Sequence, residues 1–187
     1  GRAAHAGVAP ERGVNAIQMA AAAVSRLPQG RLDDETTANV GMITGGTAEN
    51  VVPDLAEVRG EVRSHQRERV TALIGQVRDT FDEEAARFGG TVEFTEQIEY
   101  EAFRLPDNSL PVSLARRAAD ACGLAGGQTV SNGGSDASVL NAGGIPTAVL
   151  ATGTEDVHSK DETVRIDRLV ALAQWLLAIV AEGTNID

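Results

Sequence analysis

The chain has 187 residues, 42% of them apolar but only 3% aromatic, so a core must be built from Ala, Val, Leu and Ile in one large domain or two small ones. Sixteen basic against 27 acidic side chains give a net charge of −11, a surface that repels phosphate backbones and excludes nucleic acid as a partner. No run of 18 apolar residues marks a membrane span, no basic-then-apolar lead marks a signal peptide, and the single cysteine, Cys122, permits no internal disulfide, which suits a cytoplasmic setting.

Gly1 to Gly7 reads as the end of a strand entering a loop, with the start of that strand expected upstream. Asn15 is a candidate N-cap for a helix to about Leu27, with Ile17, Ala20, Ala21, Val24 and Leu27 on one stripe. Thr36 to Ser64 follows as a long hairpin. In its second arm Ala56, Val58, Gly60 and Val62 alternate with Glu57, Arg59, Glu61 and Arg63, the period of a strand with one apolar and one charged face. In its first arm Ala38, Val40 and Met42 supply the apolar face. The longest helix is expected over Arg67 to Phe88, with Val70, Leu73, Ile74, Val77, Phe81, Ala85 and Phe88 inward and Gly89-Gly90 ending it. Thr91 to Tyr100 alternates again and reads as a further strand, with Glu96 breaking its inner face at a bulge or edge.

This order of strands and helices is that of a split β-α-β, ferredoxin-like unit, an antiparallel sheet with two helices on one face. From Phe103 the pattern becomes α/β-like. Ser109 can cap a helix to about Cys122, Gln128 to Ser131 and Ile145 to Leu150 are strand candidates, and Ala137 to Asn141 is a short helix. A polar loop covers Thr152 to Glu162. The last helix runs from Ile166 to Val180, with Leu169, Leu172, Ala173, Leu176 and Val180 inward. Two strands are too few for a free-standing sheet, so this half is expected to expose apolar surface.

Several residues could carry chemistry. His5 has the plain reading of a loop histidine. His158 lies in an acidic stretch, Glu155 to Glu162, and an imidazole ringed by carboxylates suits a metal or proton transfer, although a zinc site needs three or four converging ligands. The turn Gly133-Gly134-Ser135-Asp136 is neither a phosphate-binding loop nor a nucleophile elbow. It can cradle a carboxylate at a helix start, or it can be an ordinary capped helix. Cys122 and Trp175 read as packing residues.

The stretches GRAAHAGVAPERGVNAI, GRLDDETTANVG, GGTAENVVPD, GEVRS, SNGGSDASVLNAGGIPTAVL and the HSKDE loop together resemble the di-zinc exopeptidases and deacylases related to peptidase T, glutamate carboxypeptidase and succinyl-diaminopimelate desuccinylase, peptidase T above all. The resemblance implies a fold of two parts. Residues 1–101 correspond to a ferredoxin-like lid that forms a homodimer, its first strand truncated. Residues 102–187 correspond to the C-terminal portion of a catalytic α/β domain. It implies that His5 stabilises the oxyanion in the partner subunit's site, that Asn50, Arg63, Gly134 and Ser135 bind substrate, and that His158 is a zinc ligand. The substrate class it implies is a peptide or an N-acyl amino acid.

The family's other metal ligands and its general-base glutamate precede the lid and have no counterpart here. The chain is therefore expected to be a fragment of a zinc-dependent metallopeptidase that binds zinc weakly and is inactive alone. The alternative is a non-catalytic dimerisation or binding module derived from that family. A third reading is a ferredoxin-like sensor that binds an amino acid or peptide without metal.

Overall fold

The computed structural model describes residues 1–184, which divide into two compact units, the first Gly1–Ile98 and the second beginning at Glu99. In the first unit the expected hairpin is its frame. Strand β3 (Thr36–Gly45) pairs antiparallel with β5 (Ala56–Ser64) from Thr36 opposite Ser64 to Gly45 opposite Ala56. The buried Thr36 hydroxyl meets the Ser64 hydroxyl at 2.9 Å across this ladder. A short strand absent from the sequence reading, β2 (Gly30–Asp33), joins the other side of β3 and gives the order β2-β3-β5. At the tip, β4 (Val51–Val52) leaves the hairpin and pairs with β1 (Ala4–His5) in a separate two-stranded sheet.

The hairpin carries one irregularity that alternation did not reveal. The register shifts between Val40 and Met42, a bulge at Gly41. Beyond it Met42 opposes Arg59, so Met42 lies on the charged face and is 57% exposed rather than facing the core. Gly60 stands opposite Val40 because the bulged strand approaches it closely: a Cβ there would lie 2.6 Å from the Asn39 carbonyl oxygen.

Helix α1 (Ala16–Arg26) starts at Asn15, whose side chain accepts from the Gln18 amide at 2.9 Å. Its buried residues are Ala16, Met19, Ala20 and Ala23, whereas Ile17 and Ala21 are exposed. An alanine-rich helix is apolar on several faces, and the one that seats is the one that lets the helix approach its neighbours. Helix α2 (Arg67–Phe88) places Leu73 and Ala85 in the core as its periodicity requires, and Gly89 ends it in the left-handed conformation. Ala16, Met19 and Ala85 form the centre of the core, with Ala56, Phe88 and Val92 packed against them.

The expected strand over Thr91 to Tyr100 has no ladder. Its inner positions are partly realised, since Val92 reaches the core and the Arg78 guanidinium lies over the Phe94 ring. Glu96 pairs with Arg78 at 3.2 Å instead of marking a bulge. A strand requires a hydrogen-bonding neighbour, and alternation reports only the two faces.

In the second unit α3 (Leu110–Ala121) packs against α5 (Ile166–Gly183). Trp175 Nε1 donates to the Ala115 carbonyl at 2.8 Å, and Arg117 pairs with Glu182 at 3.0 Å. Residues Leu172, Trp175 and Ile179 are half-buried, while Leu169, Leu176 and Val180 of the expected inward stripe are exposed. This helix is apolar on more than one face, and α3 covers only one. Ser109 precedes α3, but its hydroxyl makes no capping bond and is buried without a partner.

Helix α4 (Asp136–Ala142) is short. From it the Asn141 amide donates to Thr147 O at 2.8 Å and its oxygen accepts from Thr147 N at 3.2 Å, tying the 145–150 segment down. Neither that segment nor 128–131 forms a ladder, for the same want of a neighbouring strand. Instead the region expected to be a polar loop contains a small hairpin, β6 (Thr154–Glu155) against β7 (Thr163–Val164). No helix of the described residues is long and apolar enough to cross a membrane.

Candidate functional site

In the first unit the structure brings His5 and Asn50 together. His5 opposes Val51 in the β1–β4 pair, and the Ala6 amide donates to the Asn50 carbonyl at 2.9 Å. Both side chains are exposed. The turn after β1 folds back on its own histidine: the Val8 and Ala9 amides donate to His5 O, and the Gly7 amide donates to His5 Nδ1 at 3.2 Å. An amide can only donate, so Nδ1 is the acceptor nitrogen, and in the neutral ring the proton is on Nε2. The ring thereby presents an N–H from its far side.

Arg63 is not at this end of the unit. On β5 it opposes Thr37 of β3, seven residues along from Ala56, where the loop carrying Asn50 joins the ladder. At the usual strand rise those seven steps span about 23 Å. Its guanidinium forms a two-bond fork with Glu61 on the same strand face, Nε to Oε1 at 2.9 Å and Nη2 to Oε2 at 2.8 Å. A guanidinium matches a carboxylate in this planar way, so Glu61 fills the fork of Arg63. Charges alternating on one strand face were the sequence signal for this pair, because residues two apart share a face.

In the second unit Gly134 and Ser135 lead into α4. Ser135 O accepts from the Ser138 amide at 3.0 Å, and the Ser135 hydroxyl makes no capping bond. The Tyr100 ring lies against Gly134, where a Cβ would stand 2.7 Å from its Cε1. Nothing in the sequence pattern links Tyr100 to this turn.

His158 sits on the loop between β6 and β7, exposed, with φ +65°, and Asp156 on the same loop has φ +51°. The His158 amide donates to Glu162 Oε2 at 2.6 Å. One of the carboxylates expected to ring the imidazole, Glu162, therefore holds the backbone instead. Among the described residues no group of three or more His, Cys, Asp or Glu side chains converges as a metal centre. A zinc shell needs three or four converging ligands, which the described residues around His158 do not supply.

The comparisons with known proteins fall on this framework. Residues 1–88 match the model of a peptidase dimerisation domain, the M20 type. Beyond the dimerisation domain the likeness continues, and the chain is peptidase T-like along nearly its whole length. It is 41% identical over 185 residues to the Bacillus subtilis protein YqjE, covering 99% of this chain and 50% of that one. It superposes on the crystal structure of aminopeptidase PepT from Bacillus cereus with a TM-score of 0.80 at 38% identity, covering 98% of this chain and 49% of that one. A second solved structure, Bacillus subtilis YXEP, described as a dinuclear metal binding peptidase of the M20 family, matches with a TM-score of 0.61 at 26% identity over 91% of this chain and 47% of that one. The chain thus spans about half the length of the relatives it matches.

Proposed function

We propose that this chain supplies the substrate clamp of a zinc-dependent peptidase acting on peptide or amide bonds. In this reading the dimerisation domain brings His5 and Asn50 of one subunit to the site of another. The observation that carries the reading is that the β1–β4 ladder, with His5 opposite Val51 and the Ala6 amide on the Asn50 carbonyl, sets His5 beside Asn50 at the end of the hairpin remote from Arg63. A substrate of a few residues cannot bridge that separation and be held by all three side chains of one lid. Two lids related by a two-fold axis can supply His5 and Asn50 from one copy and Arg63 from the other.

The roles follow from the chemistry of each group. The Nε2–H of His5 is a donor for the negative charge that develops on a carbonyl oxygen under attack. Arg63, once Glu61 is displaced, binds the substrate carboxylate in a fork, and Asn50 offers an amide to a carbonyl. The Gly134 and Ser135 amides receive the carboxylate end of the substrate. His158 is one zinc ligand. Its donor set being a single imidazole, the chain by itself is inferred to hold zinc weakly and to hydrolyse nothing. The first unit is read as a ferredoxin-like lid, with 91–100 taking the place of its last strand, and residues 102–187 as part of the catalytic domain. The setting is read as cytoplasmic.

Two measurements on the purified chain test this. Light scattering should give a dimer, and zinc analysis with a peptide-cleavage assay should give substoichiometric metal and no turnover. Stoichiometric zinc with turnover would overturn the inactivity. A strictly monomeric chain would remove the two-lid site and favour a non-dimerising binding module.

A further inference from the structure

We propose that Glu162 is the positioning residue for His158: its carboxylate fixes the His158 backbone in the left-handed conformation and so sets the direction of the imidazole. The functional side of this inference rests on the reading of His158 as a zinc ligand; its structural side does not.

A non-glycine residue at φ +65° is disfavoured by contact of its Cβ with the following carbonyl, by about 1–2 kcal/mol. Such a conformation persists only where its surroundings over-determine it. Three features surround this one. The rungs Thr154 opposite Val164 and Glu155 opposite Thr163 close the base of the loop. The Ser159 amide donates to Asp156 O at 3.1 Å, and the Asp161 amide donates to the Ser159 hydroxyl at 3.0 Å, shaping its middle. The His158 amide donates to Glu162 Oε2 at 2.6 Å. This last bond is short and charge-assisted, about twice as strong as a neutral one. Glu162 stands next to Thr163, the first residue of β7, so the carboxylate is anchored to the base of the hairpin.

The arrangement separates two roles that the acidic loop left mixed. Glu162 is engaged with a backbone amide rather than with the His158 ring. Neither ring nitrogen of His158 has a hydrogen-bond partner among the described residues, so both remain open to an external ligand. Outer groups that orient a metal-binding histidine affect affinity by about 10–100-fold. Here the orientation would act through the main chain rather than through the second ring nitrogen.

The test compares Glu162→Ala with Glu162→Gln in this chain. Glutamine keeps an acceptor oxygen at the same reach; alanine removes it. The readouts are the chemical shift, HN–Hα coupling and hydrogen-exchange rate of the His158 amide. Alanine should speed exchange about tenfold and move the coupling away from its left-handed value, and glutamine should restore both to within about twofold. An unchanged His158 amide in the alanine variant overturns the proposal.

A second arm adds Zn²⁺ alone and follows the His158 imidazole resonances. The alanine variant should need about tenfold more metal for the same shift. If the wild-type imidazole shifts with Zn²⁺ and the alanine variant shifts at the same metal concentration, the orientation does not matter to metal binding and the proposal is overturned. If the wild-type imidazole does not respond to Zn²⁺, the ligand reading of His158 fails, and the amide measurements alone decide the positioning role.

Discussion

The Gly7 amide donates to His5 Nδ1 at 3.2 Å, so a residue two places along the chain determines which nitrogen of His5 carries the proton. A neutral ring held in this way is a donor at Nε2 and cannot use Nδ1 as a base. Long-range proton–nitrogen correlation spectra of the chain at neutral pH should show the Nε2–H tautomer. A predominant Nδ1–H tautomer would contradict the contact. Gly7→Ala retains the amide, meets the ring only at ordinary contact distance, and should leave the tautomer unchanged. In a longer protein that carries this chain together with a metal centre, His5→Ala should lower kcat by about 10²–10³-fold, the usual cost of removing one oxyanion donor.

In the proposed reading, the fork between Arg63 and Glu61 competes with substrate binding. In the same complete protein, Arg63→Ala should raise KM for a substrate ending in a carboxylate and leave that of its amide nearly unaffected. Glu61→Gln removes the competing charge and should lower KM for the carboxylate substrate. Steady-state kinetics with the matched acid and amide check both directions.

Gly60 tests the bulge. With the Asn39 carbonyl 2.6 Å from where a Cβ would stand, Gly60→Ala must displace backbone. It should destabilise the first unit by about 1–3 kcal/mol, as overpacking does, visible as a lower urea midpoint. A neutral result would mean that the bulge at Gly41 relaxes freely.

Glu84 gives a pH dependence. Its side chain is buried between two arginines: Arg26 Nη1 donates to Oε1 at 2.6 Å, and Arg87 Nε donates to Oε2 at 2.6 Å. The hydrogen bonds from Arg26 and then Arg87 hold its carboxyl below the ordinary carboxylate value, against the opposing effect of burial. Lowering is the sign that stabilises the folded state above the unfolded carboxyl's pKa. That stability is lost as pH falls through the folded value, so the window is acid, below about pH 4. Glu84→Gln should flatten the acid limb of a stability–pH profile and leave its neutral-to-alkaline shape unchanged. Salt should weaken the effect, because both arginines are partly exposed.

The Asn15 cap should behave independently of these sites. Asn15→Ala removes the acceptor for the Gln18 amide and should cost about 1 kcal/mol of stability in thermal or urea unfolding.

The sequence by itself determined the local events. Asn15 capped its helix, Gly89 ended α2, and the alternation from Ala56 to Val62 announced a strand paired with Thr36–Gly45. The motifs around His5, Asn50, Arg63, Gly134 and His158 carried a likeness to peptidase T that the comparisons support. These features are legible because caps, left-handed glycines and face periodicity act over a few residues. Tertiary structure alone decided the rest. It seated α1 on Ala16, Met19, Ala20 and Ala23, inserted the bulge that turned Met42 outward, and left 91–100, 128–131 and 145–150 without ladders. It also put His5 beside Asn50 but Arg63 at the far end of the hairpin, and turned Glu162 to the His158 amide instead of its ring. The physical reason is the same throughout. Strand pairing, close approach and hydrogen-bond partnership belong to two segments at once, and one segment's sequence encodes only its own half.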